Sequence, residues 1–232
     1  MPAEARALTL ARMLQFGDST LPIGGFAFSN GLESAVQKGV VHDAATLHAF
    51  ARTAVAQAAR GDGIALVHAH AAAAAHDVAT LVAIDRRVLA RKLSSESRTM
   101  STRMGRKLAT LAAQVTGVPW LAAWQAEVES GAAPGTYPVA LAVAFAAQDL
   151  PVQEAFVVHQ YGVAATMLSA ALRLMRIGHH ETQPMLYALC ADVDDAFRQA
   201  AAASLDDMAG FAPLTDILSA VHVQAHVRLF MN

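Results

Sequence analysis

Apolar residues recur along most of this chain at intervals of three and four, the repeat of a helix that buries one face. From Asp43, whose carboxylate can cap a helix N-terminus, Leu47, Phe50, Ala51, Ala54, Val55 and Ala58 share one face, and Arg60-Gly61 marks the expected end. A second stripe of Met100, Met104, Leu108, Leu111 and Val115 runs through residues 96–115, with Arg98 and Arg106 turned away from it and Gly117-Val118-Pro119 as the stop. Shorter helices are predicted over residues 8–16 and 32–37, and further helical pattern over 63–76 and 78–92. Pro151 opens a long helix to residue 177, with Arg173 and Arg176 near its negative end and Gly178 beyond it. Because that helix is apolar nearly all round, it is expected at the centre of the core. Pro184 and Pro213 open the last two, the final one running toward Phe230 with Leu214, Ile217, Leu218, Val221 and Ala225 as its buried stripe. Gly131, Pro134, Gly135 and Pro138 place a loop over residues 120–137. No strand-period alternation of useful length occurs. The expected fold is all-α: a compact single domain over residues 1–232, of about ten helices around the long central one.

Composition agrees with a folded domain. At 232 residues, 55% hydrophobic and 16% charged, the chain can bury a sizeable core and does not read as disordered. Much of the apolar share is alanine, and the longest uncharged runs are broken by Pro134, Gly135 and Pro138 in one case and by His159, Gln160, Tyr161 and Gly162 in the other. Neither reads as a clean spanning helix, so no membrane association is expected. The opening MPAEARALTLARML has no basic leader followed by an apolar block, which makes the cytoplasm the expected location. Cys190 is the one cysteine, excludes an internal disulfide, and reads as a small core residue.

Net charge is −2, yet eight of the seventeen cations (Arg86, Arg87, Arg91, Lys92, Arg98, Arg103, Arg106 and Lys107) crowd residues 86–107 against Glu96 alone. Two readings stand: a solvated helix surface, or a docking face for an acidic partner. Nucleic acid is disfavoured, since no aromatic residues interleave the basic ones.

Chemistry-bearing motifs are sparse. There is no phosphate-binding GxxxxGK[ST] loop, no dinucleotide fingerprint on a strand and no GxSxG elbow. His68 and His70 fall on nearly opposite sides of a helix and cannot share a metal there. His222 and His226 do share a face, which leaves a small helical metal-binding protein or metallohydrolase as the alternative reading. The HVQAH spacing lacks the zinc-protease glutamate and an evident third ligand, so no metal, cofactor or catalytic residue is assigned.

Helix periodicity does not account for residues 14–33, LQFGDSTLPIGGFAFSNGLE, and on spacing alone an ordinary connector with buried Phe26 and Phe28 is favoured, the balance shifting only with the resemblance below. Glycine allows positive φ and proline fixes φ, so Pro22-Ile23-Gly24-Gly25 is predicted to be a shaped turn, with a helix restarting beyond Ser29 and Glu33. The string L-P-I-G-G-F-x-F-S-x-G-L-E resembles the signature of the UreF family of urease accessory proteins. Glu96, Arg98, Ser101, Met104, Gly105 and Arg106 are similar in type and spacing to a second UreF pattern. Tyr161, Ala170, Arg173 and Leu174, then Pro213, Leu214, Asp216, Ile217, Ser219, His222, Arg228, Leu229 and Phe230, extend the likeness over almost the whole chain.

The resemblance implies a non-catalytic helical scaffold that dimerises and bridges the UreD/UreH accessory protein and the GTPase UreG on the way to apo-urease. GTP would belong to UreG, and the outcome would be nickel insertion. It also implies partner-binding roles for Pro22, Gly24, Gly25, Phe26, Ser29, Gly31 and Glu33, with Glu33 coupled to UreG. Phe26 stands where a relative with tyrosine would carry a hydroxyl. Arg98 and Arg106 would belong to the docking face. Arg228, Leu229 and Phe230 would fold back toward the signature turn and become ordered when UreD/UreH binds.

Overall fold

The computed structural model describes residues 3–210, 212–222 and 229–230, and among these the regular elements are all helical. In chain order they are α1 (Ala3–Gly17), α2 (Leu32–Gln37), α3 (Ala44–Ala58), α4 (Ile64–Ala74), α5 (Val78–Ala90), α6 (Ser95–Thr116), α7 (Leu121–Glu129), α8 (Tyr137–Ala146), α9 (Val152–Leu174), α10 (His179–Leu189), α11 (Val193–Ala202) and α12 (Pro213–His222). The all-α expectation holds.

Asp43 caps α3 as expected: its carboxylate accepts from the Thr46 N–H at 2.8 Å, and the Thr46 hydroxyl accepts from the Asp43 N–H at 3.1 Å. The helix does not end at Arg60-Gly61. A π-helical turn, Ala59–Gly63, carries the chain straight into α4. Gly63 lets this turn pack closely on α9, because a Cβ there would lie 2.6 Å from Cε2 of Phe156.

The most deeply buried helix is α8, where every residue from Pro138 to Ala146 is buried, packed chiefly on α4 and α6. The loop expected over residues 120–137 is corrected by α7, whose Leu121, Trp124 and Val128 form a buried face before the turn residues begin. The stripe on α6 also shifts. Its buried positions are Glu96, Ser101, Gly105, Leu108, Ala109 and Ala112, whereas Val115 is half exposed. Small residues won this face because α6 meets α8 at close range.

The long helix α9 packs against α3, α8, α1, α10 and α2, but it ends at Leu174 and leaves Tyr161 exposed. It is long and apolar enough to span a membrane by composition, contrary to the sequence reading, although more than half of that window is buried inside the protein. Pro184 lies inside α10 instead of opening it; Gly178 and Glu181 form the cap, with the Glu181 carboxylate accepting from the Gly178 N–H at 2.9 Å. On α12 the expected stripe is inverted in part: Leu218 and Ser219 are buried, while Leu214, Ile217 and Val221 are exposed.

The buried residues form two cores. The larger is built around α8. The smaller joins Leu32 and Ala35 of α2, Leu47 and Phe50 of α3, Met167, Leu168, Ala170 and Ala171 of α9, Leu218 of α12, and Phe230 from the C-terminal tail.

Candidate functional site

The signature turn lies between the two cores, with Leu21 and Ile23 against the larger and Leu32, just beyond it, in the smaller. Gly24 adopts a left-handed conformation (φ 87°) and precedes a single 3-10 turn, Gly25–Ala27. That turn buries Ile23 and Phe28 and leaves Phe26 45% exposed between them. Gly31, also left-handed (φ 80°), starts α2, and a Cβ on it would lie 2.8 Å from Oγ of Ser219 on α12. The start of α2 and the C-terminal helix therefore pass close to one another.

Glu33, in the first turn of α2, is only 1% exposed. Its own N–H donates to the Ser29 hydroxyl at 3.3 Å. Its two carboxylate oxygens accept from consecutive backbone N–H groups of the tail, Leu229 at 2.7 Å and Phe230 at 3.0 Å. A buried carboxylate needs such donors, since stripping it of water uncompensated costs several kcal/mol. Phe230 sinks into the smaller core, and the Arg173 guanidinium lies 4.0 Å over its ring. The same guanidinium donates from Nη2 to the Phe26 carbonyl at 3.0 Å. Leu229 faces outward, 63% exposed.

Phe26, Ser29, Gly31, Glu33, Leu229 and Phe230 are thus gathered at one place, with Pro22 and Gly24 exposed on its rim and Gly25 partly covered. Arg228 lies outside the described residues. Arg98 and Arg106 stand elsewhere, on α6, where their Nε groups donate to the Lys92 carbonyl at 2.7 Å and the Pro134 carbonyl at 3.0 Å. They fasten the chain on either side of α6 as well as carrying charge outward. Others in the basic segment are also engaged within the chain: Arg86 donates to the Ala132 carbonyl at 2.8 Å, Arg87 pairs with Asp206, and Lys92 pairs with Asp62 at 2.6 Å.

A cleft of about 880 Å³ opens beside the signature turn, walled by Met13, Leu14, Phe26, Met104, Tyr161 and Leu186 and floored by Asp62, Tyr137 and His159. Cys190 sits half-buried on its wall, not in the core. His159 is 2% exposed, stacks on Tyr137 with ring centroids 5.8 Å apart, and has Nε2 at 3.8 Å from Asp62. Burial pushes its pKa down to about 4; attraction to Asp62 opposes this and the Lys92 ammonium adds to it. Burial alone pushes the Tyr137 phenol up to about 12. Burial would also raise Asp62, but Lys92 together with His159 outweighs it and holds the carboxyl below its usual range. The sequence signal for this cluster was Asp62 flanked by Gly61 and Gly63, a charged residue in what proves to be the π-helical turn.

This floor does not make a reactive constellation, because Asp62 is engaged by an ammonium and His159 resists protonation. Among the described residues no three His, Cys, Asp or Glu side chains are grouped to hold a metal. His68 and His70 donate instead to the carbonyls of Ala203 (2.9 Å) and Leu150 (2.8 Å). His226, needed for the alternative metal reading, lies outside the described residues.

The sequence model of the UreF family matches residues 41–190, well over half of the chain. This chain belongs to the UreF family. Relatives along nearly its full length agree: urease accessory protein UreF 2 of Brucella canis is 52% identical over 223 residues, 96% of this chain and 92% of that protein. UreF 1 of Brucella melitensis is 52% identical over the same span, and UreF of Yersinia pseudotuberculosis is 49% identical over 226 residues, 97% of this chain and 99% of that one. A UreF-family protein is a urease accessory factor of the chaperone type and not an enzyme, which accords with a site made of a shaped turn, a clamped tail and exposed apolar residues.

Proposed function

We propose that this UreF-family chain acts in the cytoplasm as a homodimeric scaffold that binds UreD/UreH and recruits the GTPase UreG for GTP-dependent nickel insertion into apo-urease. The observation that carries the reading is the meeting of the signature turn and the C-terminal tail. Phe26 and Leu229, large apolar residues on two distant parts of the sequence, are held exposed beside one another's anchors, Arg173 reaching the first and Glu33 the second. Exposed apolar side chains on a backbone held by hydrogen bonds to Arg173 and Glu33 suit a rigid partner surface. The apolar cleft walled by Leu14 and Tyr161 offers the same chain a face for self-association. GTP hydrolysis and metal chemistry are left to the partners.

The test is capture from purified components. Tagged chain is incubated with UreD/UreH, then with UreG and GTP, and apo-urease activation is assayed with added nickel. Ordered capture of both accessory proteins and activation dependent on this chain are expected. Activation that proceeds equally without it overturns the reading.

A further inference from the structure

We propose that Glu33 is a positioning residue that acts through the C-terminal tail: its carboxylate clamps the Leu229–Phe230 backbone onto the signature turn, so that Leu229 and Phe26 are presented to a partner as one surface. This rests on the scaffold reading above and assigns the signature glutamate a means of action. With the tail in place Glu33 is covered almost completely, so it cannot touch a partner directly. Whatever it contributes must pass through the groups that cover it. Among them are two consecutive backbone N–H donors, one on each carboxylate oxygen, an arrangement that fixes both position and orientation of the peptide, while the Gln37 amide on the same helix donates to the first oxygen at 3.4 Å.

The clamp is tied to the turn at a second point. Phe230, placed by its N–H on Glu33, provides the ring over which Arg173 lies, and Arg173 donates onward to the Phe26 carbonyl. A third tie is the close passage of Gly31 past Ser219, which sets α12 against the start of α2, where Leu218 of α12 shares the smaller core with Phe230. Releasing the carboxylate should therefore free Leu229, expose the Phe230 site and loosen the Arg173 contact in one event.

Backbone hydrogen exchange at Leu229 and Phe230 in the purified chain tests the clamp without any partner. Glu33→Gln keeps the shape but aims an amide N–H₂ at one of the two donors, and both amides should exchange about tenfold faster or more, the loss of at least one hydrogen bond to a charged group. Glu33→Asp should fall between the two. Phe230→Ala releases the same tail while leaving Glu33 intact, and covers the case in which a Glu33 variant fails to fold. Both variants should lose retention of UreD/UreH, and the double variant should lose no more than either alone, as expected of two parts of one device. Unchanged exchange in Glu33→Gln overturns the clamp, whatever partner capture shows. A released tail with full retention of UreD/UreH overturns the positioning role. Failure of the wild-type chain to capture any partner overturns the scaffold reading instead, and the exchange result still decides the clamp.

Discussion

Gly105 of α6 passes Gly135 so closely that a Cβ on Gly105 would lie 2.2 Å from the Gly135 carbonyl oxygen, with the Thr136 carbonyl carbon at 2.4 Å. Both neighbours are backbone, so neither can rotate aside. This contact lets α6 lie against the start of α8, where the Asp85 carboxylate accepts from the N–H groups of Gly135 (2.6 Å) and Thr136 (2.9 Å). Gly105→Ala should therefore cost about 3 kcal/mol or more, the upper end for overpacking a close-packed interior. Urea unfolding measures it; a midpoint equal to that of the wild type would show that the helices can part without penalty.

Acid should weaken the fold through His159. Its folded pKa is depressed from 6.5 to about 4, so between those values the unfolded chain binds a proton that the folded chain refuses. The stabilisation is complete above pH 6.5 and is lost as pH falls toward 4, a change of about 3 kcal/mol for a shift of this size. Asp62, held below its ordinary value, contributes with the same sign at lower pH. Unfolding free energies measured across this range should fall with acidification in the wild type and much less steeply in His159→Gln. Parallel profiles for the two proteins would assign the acid sensitivity to other groups.

Local rules read α2, the Asp43 cap and the turn at Gly24 directly from the sequence, because each depends on residues within four positions of one another. The failures have physical causes of a different range. On α6 hydrophobicity selects Met100, Met104 and Val115, whereas the face that meets α8 was chosen for smallness, at Gly105, Ala109 and Ala112. The π-helical turn adds a residue to the helical repeat, so a pattern followed at 3.6 residues per turn breaks at Arg60-Gly61 although the helix continues. The burial of Glu33 was not legible in the sequence, because its tail partners, the N–H groups of Leu229 and Phe230, lie 196 and 197 positions away and leave no trace in local spacing.

The two arginines of the second family-like pattern should prove partly structural, where the sequence alone suggested charge on a free surface. Arg98 and Arg106 each donate from Nε to a backbone carbonyl, and each bond is worth about 1 kcal/mol of net stability. Arg98→Gln and Arg106→Gln should lower the melting temperature, and lysine at either position should not restore it, since an ammonium lacks the planar fork that reaches those carbonyls. Partner capture separates the roles. A docking face that needs only charge should survive both lysine variants and fail with both glutamines, whereas lysine variants that restore melting would remove the structural role.

The signature glycines should differ sharply from one another, although the sequence treats them alike. Gly25 needs neither positive φ nor empty space, for a Cβ there would meet only the flexible end of Met104 at 3.4 Å. Gly25→Ala should be nearly neutral. Gly24 holds φ at +87° but is open around its Cβ position, where Nζ of Lys107 is the nearest atom at 3.8 Å. Gly24→Ala should therefore show the backbone penalty by itself, about 1–2 kcal/mol. Gly31 combines φ of +80° with a Cβ position only 2.8 Å from the Ser219 oxygen, so Gly31→Ala adds a steric conflict to the same backbone penalty and pushes α12 away from α2. Its stability loss should exceed that of Gly24→Ala and should carry with it faster hydrogen exchange at Leu229 and Phe230, an effect Gly24→Ala lacks. Pairing Gly31→Ala with Ser219→Ala removes the conflicting oxygen without adding a helix glycine and should return the loss toward the Gly24 value. Equal losses at Gly24 and Gly31, or a Gly31→Ala tail exchanging at the wild-type rate, would show that α12 is not held by this contact.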